Sequence, residues 1–118
     1  MTLEACYAEM NGDLASALLV LESEERVRRY LLRFAGDPTA RLLFAALEDG
    51  RWADAFRAAH TLKGLCRALG LVPLCAACCA LCDALRAGQV PQNAGVELAK
   101  GEYAAAMRAV GQMDSVHT

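Results

Sequence analysis

"RWADAFRAAHTLKGLCRALG", residues 51 to 70, is the longest uninterrupted periodic stretch of the chain, and its reading decides the rest. At about 100° per residue, Trp52, Ala55 or Phe56, Ala59, Leu62, Leu65 or Cys66, and Leu69 form one apolar stripe. That stripe is the core face of a helix closed by Gly70. Facing away run Ala53, Arg57, His60, Lys63 or Gly64, and Arg67, again at helical spacing. His60 therefore stands on the solvent side, with Lys63 one turn later and Gly64 directly above it. A glycine inside an exposed helix costs about 1 kcal/mol relative to alanine. Since alanine is used freely elsewhere, the missing methyl implies that something approaches the backbone beside His60. A neutral imidazole is a competent nucleophile near neutral pH. Lys63 is placed to balance negative charge arriving on the ring, and Arg67 to add to that field. The same residues also describe an ordinary solvated helix face, and spacing alone leaves both readings open. No acid, Ser or Cys is placed to form a triad with His60. The other histidine, His117, falls in a tail expected to fray.

Working outward, glycine, proline and capping residues cut the chain into further helices. Asn11-Gly12-Asp13 ends a short first helix, about 2 to 10, and Asp13 caps the next. In "VLESEERVRRYLLRF", Ser23 is a cap, Glu24 and Glu25 suit a helix N-terminus, and Val27, Tyr30, Leu31 and Phe34 share a face. Asp37-Pro38 reads as cap plus first helical residue of a helix to about Glu48, stopped at Asp49-Gly50. Pro73 begins a helix through Arg86, closed by Gly88. After the loop "QVPQN" a last helix spans about 94 to 113, with Val96, Leu98 or Ala99, Tyr103, Met107 and Val110 inward. No stretch alternates with period two, isoleucine is absent, and no repeat is visible. The expected fold is all-α: an antiparallel four-helix bundle with extra short N-terminal helices, forming a single domain over residues 1-118.

Bulk properties narrow the function. With 118 residues, 56% hydrophobic and 22% charged, and only 3 Pro, the chain has the composition of one compact domain. Its basic residues, ten Arg and two Lys, are dispersed and outnumbered by 14 acids, which excludes a nucleic-acid footprint. No apolar run approaches the ~18 residues of a membrane span. "MTLEACYAEMNGD" has neither a basic start nor an apolar signal core, so a cytoplasmic protein without membrane association is expected.

The 6 cysteines then need an account, because Cys75, Cys78, Cys79 and Cys82 make two back-to-back CxxC pairs in "LCAACCALC". On a helix these positions share one face, with Cys75 and Cys82 about 10 Å apart along the axis. Zn–S bonds near ~2.3 Å cannot gather all four sulfurs on one ion. Disulfides between i and i+3 in a regular helix are strained, and a reducing compartment disfavours them. A partial site joining Cys78 and Cys82 with Cys66 is conceivable. The favoured reading is that small buried thiols let this helix pack against the His60 helix, facing Leu62, Cys66 and Leu69. Trp52 and the "YLLRF" stripe read as core, and "RVRR" as a solvated face.

"AHTLKGLCRALG", residues 59 to 70, resembles the signature of histidine-containing phosphotransfer (HPt) domains. That signature runs His-x-x-Lys-Gly, with Leu-Gly nine and ten residues after the His, and His60, Lys63, Gly64, Leu69 and Gly70 match it. "NGDLASALLVLESEERVRRYLLRF", "LEDGRWADAFRAAHTLKG" and "LCDALRAG" resemble flanking parts of such domains. Two departures are Leu65, where a small or hydroxyl residue is frequent, and Cys82, beside Asp83, where an acid is frequent. The resemblance implies that His60 takes a phosphoryl group from a receiver-domain aspartyl phosphate and passes it to another receiver. It implies that Lys63 stabilises that group, that Gly64 leaves room for it, and that Arg57 and Arg67 assist docking or charge balance. No cofactor of its own is implied, the Mg²⁺ coming with the receiver. Partners would be response-regulator receivers or a hybrid histidine kinase. No glycine-rich ATP site is present, so the expectation is a monomeric, freestanding phosphoryl carrier without kinase activity. Two alternatives are a non-catalytic helical adaptor docking a receiver, and a cysteine-rich metal or redox bundle.

Overall fold

The computed structural model describes residues 1–113; His117 lies outside them. The described residues form α1 (Leu3–Glu9), α2 (Leu14–Leu21), α3 (Glu24–Ala35), α4 (Thr39–Glu48), α5 (Trp52–Leu69), α6 (Val72–Arg86) and α7 (Asn93–Gly111), with no strand among them. The caps foreseen from sequence are in place. Asp13 Oδ1 accepts from the Ser16 amide and Ser23 Oγ from the Arg26 amide, each filling an orphan donor at a helix start. Before α4 the positions shift by one residue. Asp37 Oδ1 accepts from the Thr39 amide, and Pro38 occupies the cap position instead of opening the helix.

Helix α5 is the hub, packing against α6, α4, α2 and α3, while α7 packs against α6, α1, α3 and α4. Its buried stripe is Ala55, Ala59, Leu62, Cys66 and Leu69, the five positions on the side away from His60. Val27, Leu31 and Phe34 of α3 are buried as the periodicity requires, and Leu43, Leu74, Leu81 and Val110 complete the core from other helices. Among the described residues no charged side chain is buried, so apolar burial dominates the interior. The molecule measures 45 × 23 × 20 Å, long along the helices. Among the described residues, no helix is long and apolar enough to cross a membrane.

Two expected core residues lie outside. Trp52 is 40% exposed. It opens α5, where the adjacent layers end, and its ring lies over Gly50 and borders a surface groove with Phe44, Val90 and Pro91. Tyr30 is exposed at the margin of an otherwise inward face, and of the alternatives Leu98 and Ala99 it is Ala99 that is buried. Ring faces so near a stripe's edge are assigned by the neighbour's position, which periodicity does not contain.

The C-terminal end of α5 is fastened to the N-terminal segment. Gly70 is left-handed, φ 67°, and its amide and that of Leu71 close back onto the carbonyls of Arg67 and Cys66. The Gly70 carbonyl accepts from the Asp13 amide at 2.8 Å, and a Cβ on Gly70 would lie 2.3 Å from the Asp13 carbonyl oxygen. The buried Tyr7 hydroxyl donates to the Leu69 carbonyl at 2.7 Å. Burial, with the neighbouring Cys6 thiol adding to it, pushes the Tyr7 phenol well above its ordinary range. A helix end that would otherwise display open carbonyls is thus satisfied by residues of α1 and its turn.

The cysteines are all free thiols among the described residues. Cys78 and Cys82 are buried, and Cys66 on α5 meets Cys78 across the helix interface. That contact, and burial after it, push the Cys66 thiol well above the ordinary range. Cys75 and Cys79 are only half-buried, at the edge of the same interface. The packing role inferred from "LCAACCALC" therefore applies fully to two of the four.

Candidate functional site

The site is built on α5, whose two ends are clamped. At the start Arg51 bonds Asp49 and Asp54, and at the end Gly70 and Tyr7 make the contacts just described. Between the clamps, nine residues into the helix from Arg51, His60 is exposed. Regular helix geometry then sets what surrounds it: Phe56 one turn before, Lys63 and Gly64 one turn after.

Gly64 is exposed, and a Cβ built on it would meet no heavy atom within 4 Å. No neighbour within the molecule therefore demands glycine there. Lys63 is half-buried and Arg67 exposed, and neither has an ion-pair partner among the described residues. Lys63 lies toward α6, close enough to the buried Cys82 for its ammonium to oppose the rise that burial imposes on that thiol. Arg57 differs from these two. It pairs with Asp54, which also takes Arg51, so its charge is already engaged on the surface of α5.

Two residues without an assigned role in the sequence reading border His60. The Phe56 ring lies 6.0 Å from the imidazole, tilted by 43°, and Arg86 of α6 sits over the same Phe56 ring at 5.5 Å. Arg86, Phe56 and His60 thus form a stacked row across the α5–α6 seam, limiting ring positions open to the histidine. Phe56 was legible as an apolar neighbour one turn away; Arg86 stood in "LCDALRAG", 26 residues downstream, with nothing local to indicate its reach. Asp83 turns outward and pairs with Arg86 at 3.4 Å. The position where an acid was anticipated is thereby occupied by a buried thiol, and its acidic neighbour faces solvent.

On the other side of His60 a shallow groove between α4 and α5 is lined by Leu42, Arg57, Ala58 and Thr61. His60 itself is exposed, so the imidazole is approachable from solvent, flanked toward α6 and the C-terminus of α5 by two cations without ion-pair partners among the described residues. No group of three or more His, Cys, Asp or Glu among the described residues is arranged to hold a metal ion. Such a site offers an exposed imidazole with positive charge beside it.

A protein-family model described as Hpt domain matches residues 3–112, nearly the entire chain. No curated protein and no solved structure matches it.

Proposed function

Since this chain belongs to the Hpt domain family, whose members carry out histidine phosphotransfer in two-component phosphorelays, we propose that it is a phosphoryl carrier acting through His60. The observation that carries the assignment is the pairing of an exposed imidazole with a glycine one turn away that no internal contact requires. A receiver domain can then bring its aspartyl phosphate down onto the ring without meeting a side chain.

In this reading the Nε2 lone pair of His60 forms the N–P bond as the bond from phosphorus to the receiver's carboxylate oxygen breaks. The carboxylate leaves with that electron pair, and the reverse step passes the group to a second receiver. Positioning and charge supply most of the catalysis in such transfers. Lys63 supplies an ammonium one turn from the ring, Arg67 extends the positive field, and Phe56 with Arg86 behind it restricts the imidazole. Arg57, paired with Asp54, acts in docking. Any Mg²⁺ would be held by the receiver, where it would offset charge on the transferring group, and the carrier needs no cofactor of its own. The active unit is a cytoplasmic monomer, one domain over residues 1-118. Its four longer helices pack as an antiparallel bundle behind the short N-terminal ones.

The test is direct. A receiver charged with labelled phosphate is incubated with this protein and Mg²⁺, and acid-labile, alkali-stable label is sought. Label on the wild type, lost in His60→Gln with its helical circular dichroism intact, is the expected result. Absence of label on the wild type across a panel of receivers would refute the carrier assignment and leave a docking adaptor.

A further inference from the structure

We propose that Cys75 and Cys79 form a binding site for a soft monovalent cation of the copper(I) class, separate from the chemistry at His60. Both residues are half-buried and line one groove of about 330 Å³ where α5 ends and α6 begins, together with Arg67, Cys66 and Asp13. They lie four residues apart on α6, and their thiols interact. Cys75 also donates weakly to the Lys63 carbonyl, Sγ to O 3.9 Å, which turns its sulfur toward the α5 side of the groove.

Spacing distinguishes what this pair can do. Residues i and i+4 on a helix hold their Cβ atoms about 5–6 Å apart, whereas a disulfide needs about 3.5–4.5 Å. The pair is therefore too wide to oxidise without bending α6. An ion midway between two sulfurs, with bonds of about 2.3 Å as in zinc thiolates, tolerates an S–S separation of about 4.6 Å and so suits the helix as it stands. Zinc would require further ligands, and no third His, Cys, Asp or Glu among the described residues completes such a set. The neighbouring Cys66 is engaged with Cys78, and the Asp13 oxygen is held by the Ser16 amide and is a hard donor. Thiolate softness with two ligands selects copper(I).

Charge fits the same ion. Binding displaces one proton from each thiol, so a singly charged cation on two thiolates carries a net charge of −1. Arg67, which has no ion-pair partner among the described residues, lines the same groove and offsets that charge. The protons displaced make affinity rise with pH.

Reduced, metal-free full-length protein is titrated with copper(I) under argon against a chromogenic copper(I) chelator. One ion per chain is expected, with affinity rising between pH 6 and 8. Changing only the groups that hydrogen-bond to a metal's ligands costs up to about 100-fold in metal affinity, so removing a ligand in Cys75→Ser or Cys79→Ser should cost at least that. Cys6→Ala, remote on α1, should bind as the wild type does. Circular dichroism of each variant checks folding, and the half-exposed positions accept serine without a buried hydroxyl. Three results would overturn the assignment: no copper(I) taken from the chelator, undiminished binding in both serine variants, or zinc bound as tightly as copper(I).

Discussion

Replacing Gly64 by alanine should make the protein more stable and a poorer phosphoryl carrier at once. No heavy atom lies within 4 Å of the Cβ position, so the added methyl meets nothing inside the molecule. Alanine exceeds glycine in a helix interior by about 1 kcal/mol, part of it from a less disordered unfolded chain. For a chain of this size, that gain raises the thermal midpoint by roughly 2–5 °C. The cost falls on the partner: a Cβ projects about 1.5 Å from the backbone, one turn from the reacting nitrogen. Misplacement of reactants by about 1 Å can cost 100-fold, so transfer should slow by roughly 10- to 100-fold, or about 1.4–2.7 kcal/mol. Gly101, exposed in the middle of α7 with nothing within 4 Å of its Cβ position, is the matched control. Gly101→Ala should bring a similar stabilisation with wild-type transfer. Thermal denaturation by circular dichroism and single-turnover transfer from a phosphorylated receiver measure the two quantities. Wild-type transfer in Gly64→Ala would show that the open backbone serves no partner; a lowered midpoint would show that the site is not open.

Two further outcomes follow from the clamp at the end of α5 and from the core. Tyr7→Phe keeps the ring but leaves the Leu69 carbonyl without its buried donor, which should cost about 1–3 kcal/mol in urea denaturation; a loss indistinguishable from zero would mean that water or another group satisfies that carbonyl. The Cys6, Cys82 and Tyr7 groups are all raised in the folded state, chiefly by burial, so above about pH 8.5 the unfolded chain ionises first and binds fewer protons. Stability should be unaffected by these groups at lower pH and fall as pH rises from there toward 11, visible as a declining urea midpoint; an unchanged midpoint would refute their burial as neutral groups.

Much of the site could be read from one helix. The 3.6-residue period alone put His60, Gly64 and Arg67 on one side of residues 51–70 and Ala59, Leu62 and Cys66 on the other. The same period placed Cys75, Cys78, Cys79 and Cys82 together. It could not say that the edge pair, Cys75 and Cys79, borders an open groove, because that depends on where α5 stops. Trp52 failed for the related reason that, as the first residue of its stripe, it projects past the layer it would pack against. Arg86 and Tyr7 were out of reach altogether: their contacts cross 30 and 62 residues of chain.

The sequence by itself determined the helices, their caps at Asp13 and Ser23, and the solvent-facing histidine, because these depend on interactions within about four residues. Only the tertiary structure decided which cations near His60 are unpaired, what backs its ring, and which of the cysteines are accessible. Those properties come from α1, α4 and α6 arriving beside α5, and the distances between helices are set by how their side chains fill the shared core.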